Sequence, residues 1–145
     1  EKIITPDIKK PGKSKLVFID LANGKNRLGG SALAQTFGQI GDSCPDIEDF
    51  ALLENAFNVV QEMIKENLIL AGHDISDGGL ITTLSEMAMA GNCGLDVKVF
   101  KDKDALAQLF AEELGLVIEY EDTKEIENKI NEILRKFLAS CMIEI

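Results

Sequence analysis

Leu68-Ile69-Leu70-Ala71-Gly72-His73-Asp74-Ile75-Ser76-Asp77-Gly78-Gly79-Leu80, residues 68–80, is the stretch around which the rest of the chain is read. The apolar run Leu68–Ala71 reads as a buried strand. Leu80–Ala90 reads as a helix, with Leu80, Leu84, Met87 and Ala88 on its apolar side. Between them the chain turns tightly on Gly78 and Gly79 and enters a helix at its amino end. Such a turn offers free backbone amides and the positive end of a helix dipole, which suit a phosphate. Asp74, Ser76 and Asp77 sit in the same turn. A carboxylate beside a phosphate points to a shared Mg²⁺, which takes oxygen ligands and keeps phosphates as partners. The same residues also fit a purely architectural reading. Ser76 or Asp77 would then be an N-cap, Gly78-Gly79 would allow close backbone packing, and His73, the single histidine, would pack at a strand end.

Upstream, Lys15–Leu21 is apolar on both faces and reads as a central strand. It is followed by a turn on Asn23-Gly24. Arg27-Leu-Gly-Gly-Ser-Ala-Leu-Ala-Gln35 places two glycines before good helix formers, predicting a helix to about Ile40. It fits a second phosphate-facing helix start or close packing equally well. Asp46–Asn67 reads as an amphipathic helix, N-capped by Asp46, with a core stripe of Ile47, Phe50, Leu53, Phe57, Val60 and Ile64. Glu1–Lys13, with Pro6, Pro11 and Gly12, reads as an incoming linker.

Downstream, Gly91-Asn92-Cys93-Gly94 predicts a glycine C-cap. Leu95–Phe100 alternates as a half-exposed strand does, and Lys101–Asp104 is a charged turn. Asp104–Glu112 is a short helix, Leu116–Tyr120 a strand, and Thr123–Phe137 an amphipathic helix with Ile126, Ile130, Ile133, Leu134 and Phe137 inward. Cys141–Ile145 reads as an edge strand. Glu112-Glu113 fits either metal or substrate ligands or a solvated helix end. Strands and helices alternate with some short connections, which predicts an α+β fold: a mixed β-sheet with helices packed on its faces.

A chain of 145 residues predicts one domain, 1–145, and 46% hydrophobic residues predict a globular core. Asp and Glu number 25 against 15 Lys and Arg, a net charge of −10. That balance argues against nucleic acid or an anionic membrane as partner, though Mg²⁺ and helix amides can hold a nucleotide in an acidic protein. Cys44, Cys93 and Cys141 are odd in number and far apart, which predicts buried inert thiols and a cytoplasmic, reducing setting. No leader pattern and no run of about 18 apolar residues stands in the sequence. The first residue is Glu1 and not Met, which suggests a piece of something longer.

Four motifs occur in order: Arg27–Gln35; Ala71-Gly-His-Asp-Ile-Ser-Asp-Gly-Gly-Leu80; Ser85-Glu-Met-Ala88 with Gly91-x-Cys-Gly94; and Phe110-Ala-Glu-Glu-Leu-Gly115. Together they closely resemble the second carboxy-terminal, aminoimidazole-ribonucleotide (AIR) synthetase-like domain of the large phosphoribosylformylglycinamidine synthases. The resemblance covers essentially the whole chain. Each motif alone is weak, and four in register with matching spacers are specific. It implies an AIR-synthetase C-terminal-domain-like fold. It also implies a parent enzyme of de novo purine synthesis that uses ATP and glutamine-derived ammonia to convert formylglycinamide ribonucleotide to formylglycinamidine ribonucleotide. The amide oxygen would be phosphorylated and ammonia would displace phosphate. The cofactors implied are Mg²⁺ and ATP or ADP. The partners implied are the parent's amino-terminal synthetase-like domain and its glutaminase domain. By the resemblance, Asp74 is a Mg²⁺ ligand, Ser76 contacts the phosphates, and Gly78 and Gly79 line the nucleotide. His73 and Asp77 support, and no residue of this chain is catalytic. Many members of the family carry Arg at position 75, where this chain has Ile75. The half resembled here holds a nucleotide of structural or auxiliary role. The resemblance places the family's ATP site between domains, and this chain has neither the synthetase-like partner nor the glutaminase, so alone it is expected to be folded but inactive. A purely structural packing module is the alternative, as is another ATP-binding domain of the AIR-synthetase or selenophosphate-synthetase type. The Arg27–Gln35 and Phe110–Gly115 motifs fit the latter poorly.

Overall fold

A computed structural model describes residues 2–98, 104–137 and 142–144. In chain order the elements are β1 (Ser14–Asp20), α1 (Ala32–Thr36), α2 (Phe50–Lys65), β2 (Ala71–Asp74), α3 (Gly79–Ala90), α4 (Ala105–Phe110), β3 (Gly115–Glu121), α5 (Lys124–Phe137) and β4 (Met142–Glu144). The sheet order is β2-β3-β1-β4, and every pairing is antiparallel. The fold is α+β as expected, but the sheet is not mixed. The β1-to-β2 crossover through α1 and α2 skips one strand position, which β3 fills in the opposite direction. The β3-to-β4 crossover through α5 likewise skips a position, filled by β1. These are two interleaved split β-α-β units, so strands that run the same way never become neighbours.

Alternation along β1 and β3 divides the core between the two faces of the sheet. Val17, Ile19, Ile118 and Tyr120 pack with Ala56, Val59 and Met63 of α2 and Ile130 and Leu134 of α5. On the other face Val117 and Ala71 pack with Leu84, Met87 and Ala88 of α3, together with Leu16, Phe18 and Ile8. The double-sided apolar character of β1 follows from its central place. The Asn23-Gly24 turn after it has both residues left-handed, at φ 54° and 74°. The Asp20 carboxylate accepts the amides of Ala22 and Gly24 at 2.8 and 2.7 Å, fixing that turn.

Several expectations change. Helix α2 begins at Phe50, capped by Asp49, whose carboxylate accepts from Ala51 and Leu52; Asp46 lies outside it. Its buried residues are Ala56, Val59 and Met63, while Phe50 and Phe57 are 73% and 64% exposed and Ile47 is also exposed. Leu53, Val60 and Ile64 of the expected stripe do pack on the core, partly buried, but the deepest positions, Ala56, Val59 and Met63, each lie one residue before Phe57, Val60 and Ile64. Helix α1 stops at Thr36 and not near Ile40, because the chain doubles back: Gly30 donates to the Ile40 carbonyl and Gly29 to that of Ser43. Left-handed Gly38 and Gly41 permit that reversal.

The C-cap of α3 is Gly91, as expected, and the left-handed residue that follows it is Asn92. Gly91 is needed for room, since a Cβ there would meet the Ile8 backbone at 2.8 Å. Leu95–Lys98 forms no strand. Val99, Phe100 and the first three residues of the predicted turn, Lys101, Asp102 and Lys103, lie outside the described residues, as do Cys141 and the side chain of Phe137. Cys44 is exposed and not buried, because it sits on the loop that α1 doubles back into. Cys93 is half-buried beside the α3 cluster.

Residues 2–13 are irregular, as read, but they are fastened to the sheet rather than strung free as a linker. Gly72 donates to the Thr5 carbonyl, and Ile8 donates to that of Met87. The buried carboxylate of Glu119 accepts from the amides of Lys9 and Lys10 and from the Ser14 hydroxyl, at 2.8, 2.9 and 2.6 Å.

Candidate functional site

Strand β2 ends at Asp74, and the bend that follows delivers the chain to α3. Its backbone is held at several points. Ile75 donates to the Gly115 carbonyl at 2.9 Å, and the Thr83 hydroxyl donates to the Asp74 carbonyl at 3.1 Å. His73 Nδ1 lies 2.7 Å from that same carbonyl, and its Nε2 lies 3.2 Å from a Glu86 carboxylate oxygen. The Asp74 carboxylate points outward, its side chain 81% exposed, with Oδ1 3.4 Å from His73 Nδ1. Ser76 and Asp77 are exposed beside it. Neither of them caps α3; the N-cap is Gly78, at φ 87° with no side-chain bond.

The two glycines do less for an anion, and more for packing, than their pattern suggested. The Gly78 amide donates to Glu112 Oε1 at 2.7 Å, and the Gly79 amide to the Ser76 carbonyl at 3.0 Å. A Cβ on Gly79 would meet the carbonyls of Ala111 and Leu109 at 2.7 and 2.8 Å. The bend is therefore pressed against the end of α4.

Glu112 and Glu113, open at the level of sequence between ligands and a solvated helix end, are neither exposed nor idle. Glu113 is 4% exposed and grips Arg27: Oε1 accepts Nε at 2.7 Å and the Arg27 amide at 2.8 Å, and Oε2 accepts from a terminal nitrogen at 2.7 Å. This two-pronged bond holds the guanidinium pKa above its ordinary value. Arg27 also reaches Glu48 at 2.7 Å, which Lys25 approaches at 2.6 Å; the Lys25 hydrogen bond is the chief reason the Glu48 carboxyl pKa is lowered. One signal for this pair stood in the sequence: Arg27 is one of two arginines among 15 basic residues, and only arginine offers a planar fork to a carboxylate.

The loop carrying Arg27 lines an open cleft of about 480 Å³ with Leu33, Phe37 and Leu106. Among the described residues no group of three or more His, Cys, Asp or Glu side chains is gathered for a metal. Asp74 is thus a single hard oxygen donor on a fixed backbone. That fits Mg²⁺, which binds through one or two carboxylates plus waters and phosphates.

The profile of the family described as AIR synthase related protein, C-terminal domain, matches residues 15–141. The chain belongs to this family. As an AIR synthase C-terminal domain it is 52% identical over 144 residues to a probable phosphoribosylformylglycinamidine synthase, chloroplastic/mitochondrial, of Arabidopsis thaliana, covering 98% of this chain and 10% of that protein. It is 50% identical over 121 residues to the phosphoribosylformylglycinamidine synthase of Homo sapiens, covering 82% of this chain and 9% of the human protein. The match to the synthase of Schizosaccharomyces pombe is 44% identical over 97% of this chain and 11% of the yeast protein. The chain thus spans about a tenth of the length of these curated relatives.

Among solved structures, the fold is shared with PurLQS from Thermotoga maritima, at TM-score 0.69 and 21% identity over 98% of this chain and 22% of that one. It is also shared with T. maritima PurL complexed with FGAR, at TM-score 0.63 and 18% identity over 99% of this chain and 24% of that one. T. maritima PurL complexed with ATP matches at TM-score 0.59 and 19% identity, over 99% of this chain and 22% of that one. No described helix is long and apolar enough to cross a membrane.

Proposed function

We propose that residues 1–145 are one domain of a longer phosphoribosylformylglycinamidine synthase, the ATP-dependent enzyme that makes formylglycinamidine ribonucleotide from formylglycinamide ribonucleotide and glutamine-derived ammonia. The observation that carries this is 52% identity running over 98% of the chain. Its role there is to supply one wall of a Mg²⁺–nucleotide site, the rest coming from the synthetase-like domain of the parent. A glutaminase domain elsewhere in the parent supplies the ammonia. The compartment is cytoplasmic, or the organelle that the Arabidopsis relative's description names.

In this site Asp74 is the metal ligand, and the Ser76 hydroxyl donates to a phosphate oxygen. Gly78 and Gly79 shape the bend beside the nucleotide: Gly79 lets it seat on the backbone at the end of α4, and Gly78 lets it pass the Thr82 side chain, so that Asp74 and Ser76 face outward. The surroundings support the metal: with Asp77, Glu86 and Glu112 close by in sequence or structure, and the Gly78 amide already occupied, an anion needs a cation beside Asp74. Mg²⁺ would neutralise phosphate charge there. The site holds a tightly bound nucleotide in an auxiliary role, and this chain carries no catalytic group of its own.

The test is Asp74→Asn in the full-length protein, which keeps shape and removes the charge. MgADP affinity is expected to fall by more than about tenfold, with nucleotide lost on purification and the melting temperature lowered. Wild-type nucleotide content in that variant would refute the assignment.

A further inference from the structure

Glu112 does what an incoming anion was expected to do. One of its oxygens, Oε1, accepts from the amide of Gly78 at 2.7 Å and from that of Ala32 at 2.8 Å. Both amides stand at helix starts that follow glycine-containing turns, so one carboxylate oxygen ties α3's entry to α1's entry. The geometry points to Glu112 as the positioning residue of the Mg²⁺–nucleotide site, the internal anion that fixes where the Asp74 bend stands against the α1 loop. This rests on the reading of Asp74 given above.

The need for such a tie follows from the bend itself. Gly78 and Gly79 are both left-handed, at φ 87° and 72°, and two such glycines in succession form the least restrained backbone in the segment. The residues before them are tied down through Ile75 and Thr83, and α3 is packed beyond them. Ser76 and Asp77 lie between, and Glu112 is the side chain that hydrogen-bonds this part, through Gly78, beside the close seat of Gly79 on the end of α4. Glu112 is itself well placed. Its neighbour Glu113 is clamped on Arg27, and β3 begins at Gly115, where Ile75 is also bonded. The carboxylate also has a repulsive effect. It occupies the Gly78 amide and sets a negative charge there, so a polyphosphate is turned toward the metal side, at Asp74 and Ser76.

MgADP titration of the nucleotide-stripped, full-length protein tests this with Glu112→Ala, Glu112→Gln, Asp74→Asn and the Asp74→Asn/Glu112→Ala double variant. Glu112→Ala is expected to weaken MgADP about tenfold, the size of effect seen when a partner that orients a metal ligand is lost. Glu112→Gln, whose amide oxygen still accepts both N–H groups, restores most of the affinity. The double variant binds no more weakly than Asp74→Asn, because without the metal ligand nothing is left to position. Losses that multiply in the double variant, or an unchanged affinity in Glu112→Ala while Asp74→Asn is impaired, overturn the positioning role alone. Unchanged affinity in Asp74→Asn overturns the site and this inference together.

Discussion

Replacing Glu119 by alanine is expected to destabilise the chain by about 4 kcal/mol, through the loss of hydrogen bonds to a charged acceptor and the stranding of the two amides it serves. Glu119 is fully buried in β3, on the face toward α3. Its carboxylate takes two backbone amides, from Lys9 and Lys10, and the Ser14 hydroxyl. Nothing else among these contacts could supply three acceptor positions to donors so close together. A domain of this kind has about 5–15 kcal/mol in all, so the loss is a large fraction of the total. With a urea slope of about 2 kcal/mol per molar, the midpoint would fall by roughly 2 M. Glu119→Gln should fall less, since its amide oxygen still accepts while its amide nitrogen meets donors. The first part to loosen should be residues 2–13, seen as faster hydrogen exchange at Lys9 and Lys10 ahead of the sheet. A midpoint shift below about 0.5 M in the alanine variant would show that the anchoring of this segment lies elsewhere, in the Thr5 and Ile8 contacts.

Glu119 also illustrates what the sequence conceals. Nothing within the strand Leu116–Tyr120 marks Glu119 as buried, since its partners lie more than a hundred positions away. No local period can announce such a bond. The same limit hid Glu113 and Arg27. By contrast α3 and α5 were legible because their apolar positions repeat at the helical period, and β1 because its apolar run covers both faces, as a central strand requires. Helix α2 was legible as a helix but not in its orientation. Leu53, Val60 and Ile64 of the expected stripe reach the core while Phe50 and Phe57 project outward, and the deepest residues are Ala56, Val59 and Met63, because depth of burial depends on what stands opposite. The antiparallel sheet was misread as mixed because connection length constrains a crossover but says nothing about a strand inserted later from elsewhere in the chain. At the candidate site the exposed Asp74 was legible as a hard donor after a strand. The engaged amide of Gly78 was not, because its partner Glu112 lies more than thirty positions away, beyond the end of α4.

Those glycines yield the sharpest contrast between two neighbouring substitutions. Gly79→Ala is expected to destabilise the chain by about 4 kcal/mol, a left-handed residue contributing roughly 1–2 and forced overpacking the remainder. At φ 72° its Cβ would stand 2.7 and 2.8 Å from two carbonyl oxygens and 2.8 Å from the Phe110 carbonyl carbon. All three are backbone atoms at the end of α4, so no rotamer change relieves them. The only relief is to push α4 away from α3, and that draws Glu112 off the Gly78 amide. Gly78→Ala should be milder. Its φ of 87° carries the same conformational penalty, but its Cβ would meet the side chain of Thr82, at 2.2 Å from Oγ1. A second change, Thr82→Ala, removes the Oγ1 contact and leaves only the position-82 Cβ at 2.9 Å, so the Gly78→Ala/Thr82→Ala protein should regain part of the stability lost in Gly78→Ala. No such companion exists for Gly79. Chemical denaturation of the three variants measures the difference directly. If Gly79→Ala were no worse than Gly78→Ala/Thr82→Ala, the close seat of the bend on α4 would not be what holds it, and the route by which Glu112 reaches Gly78 would have to be different.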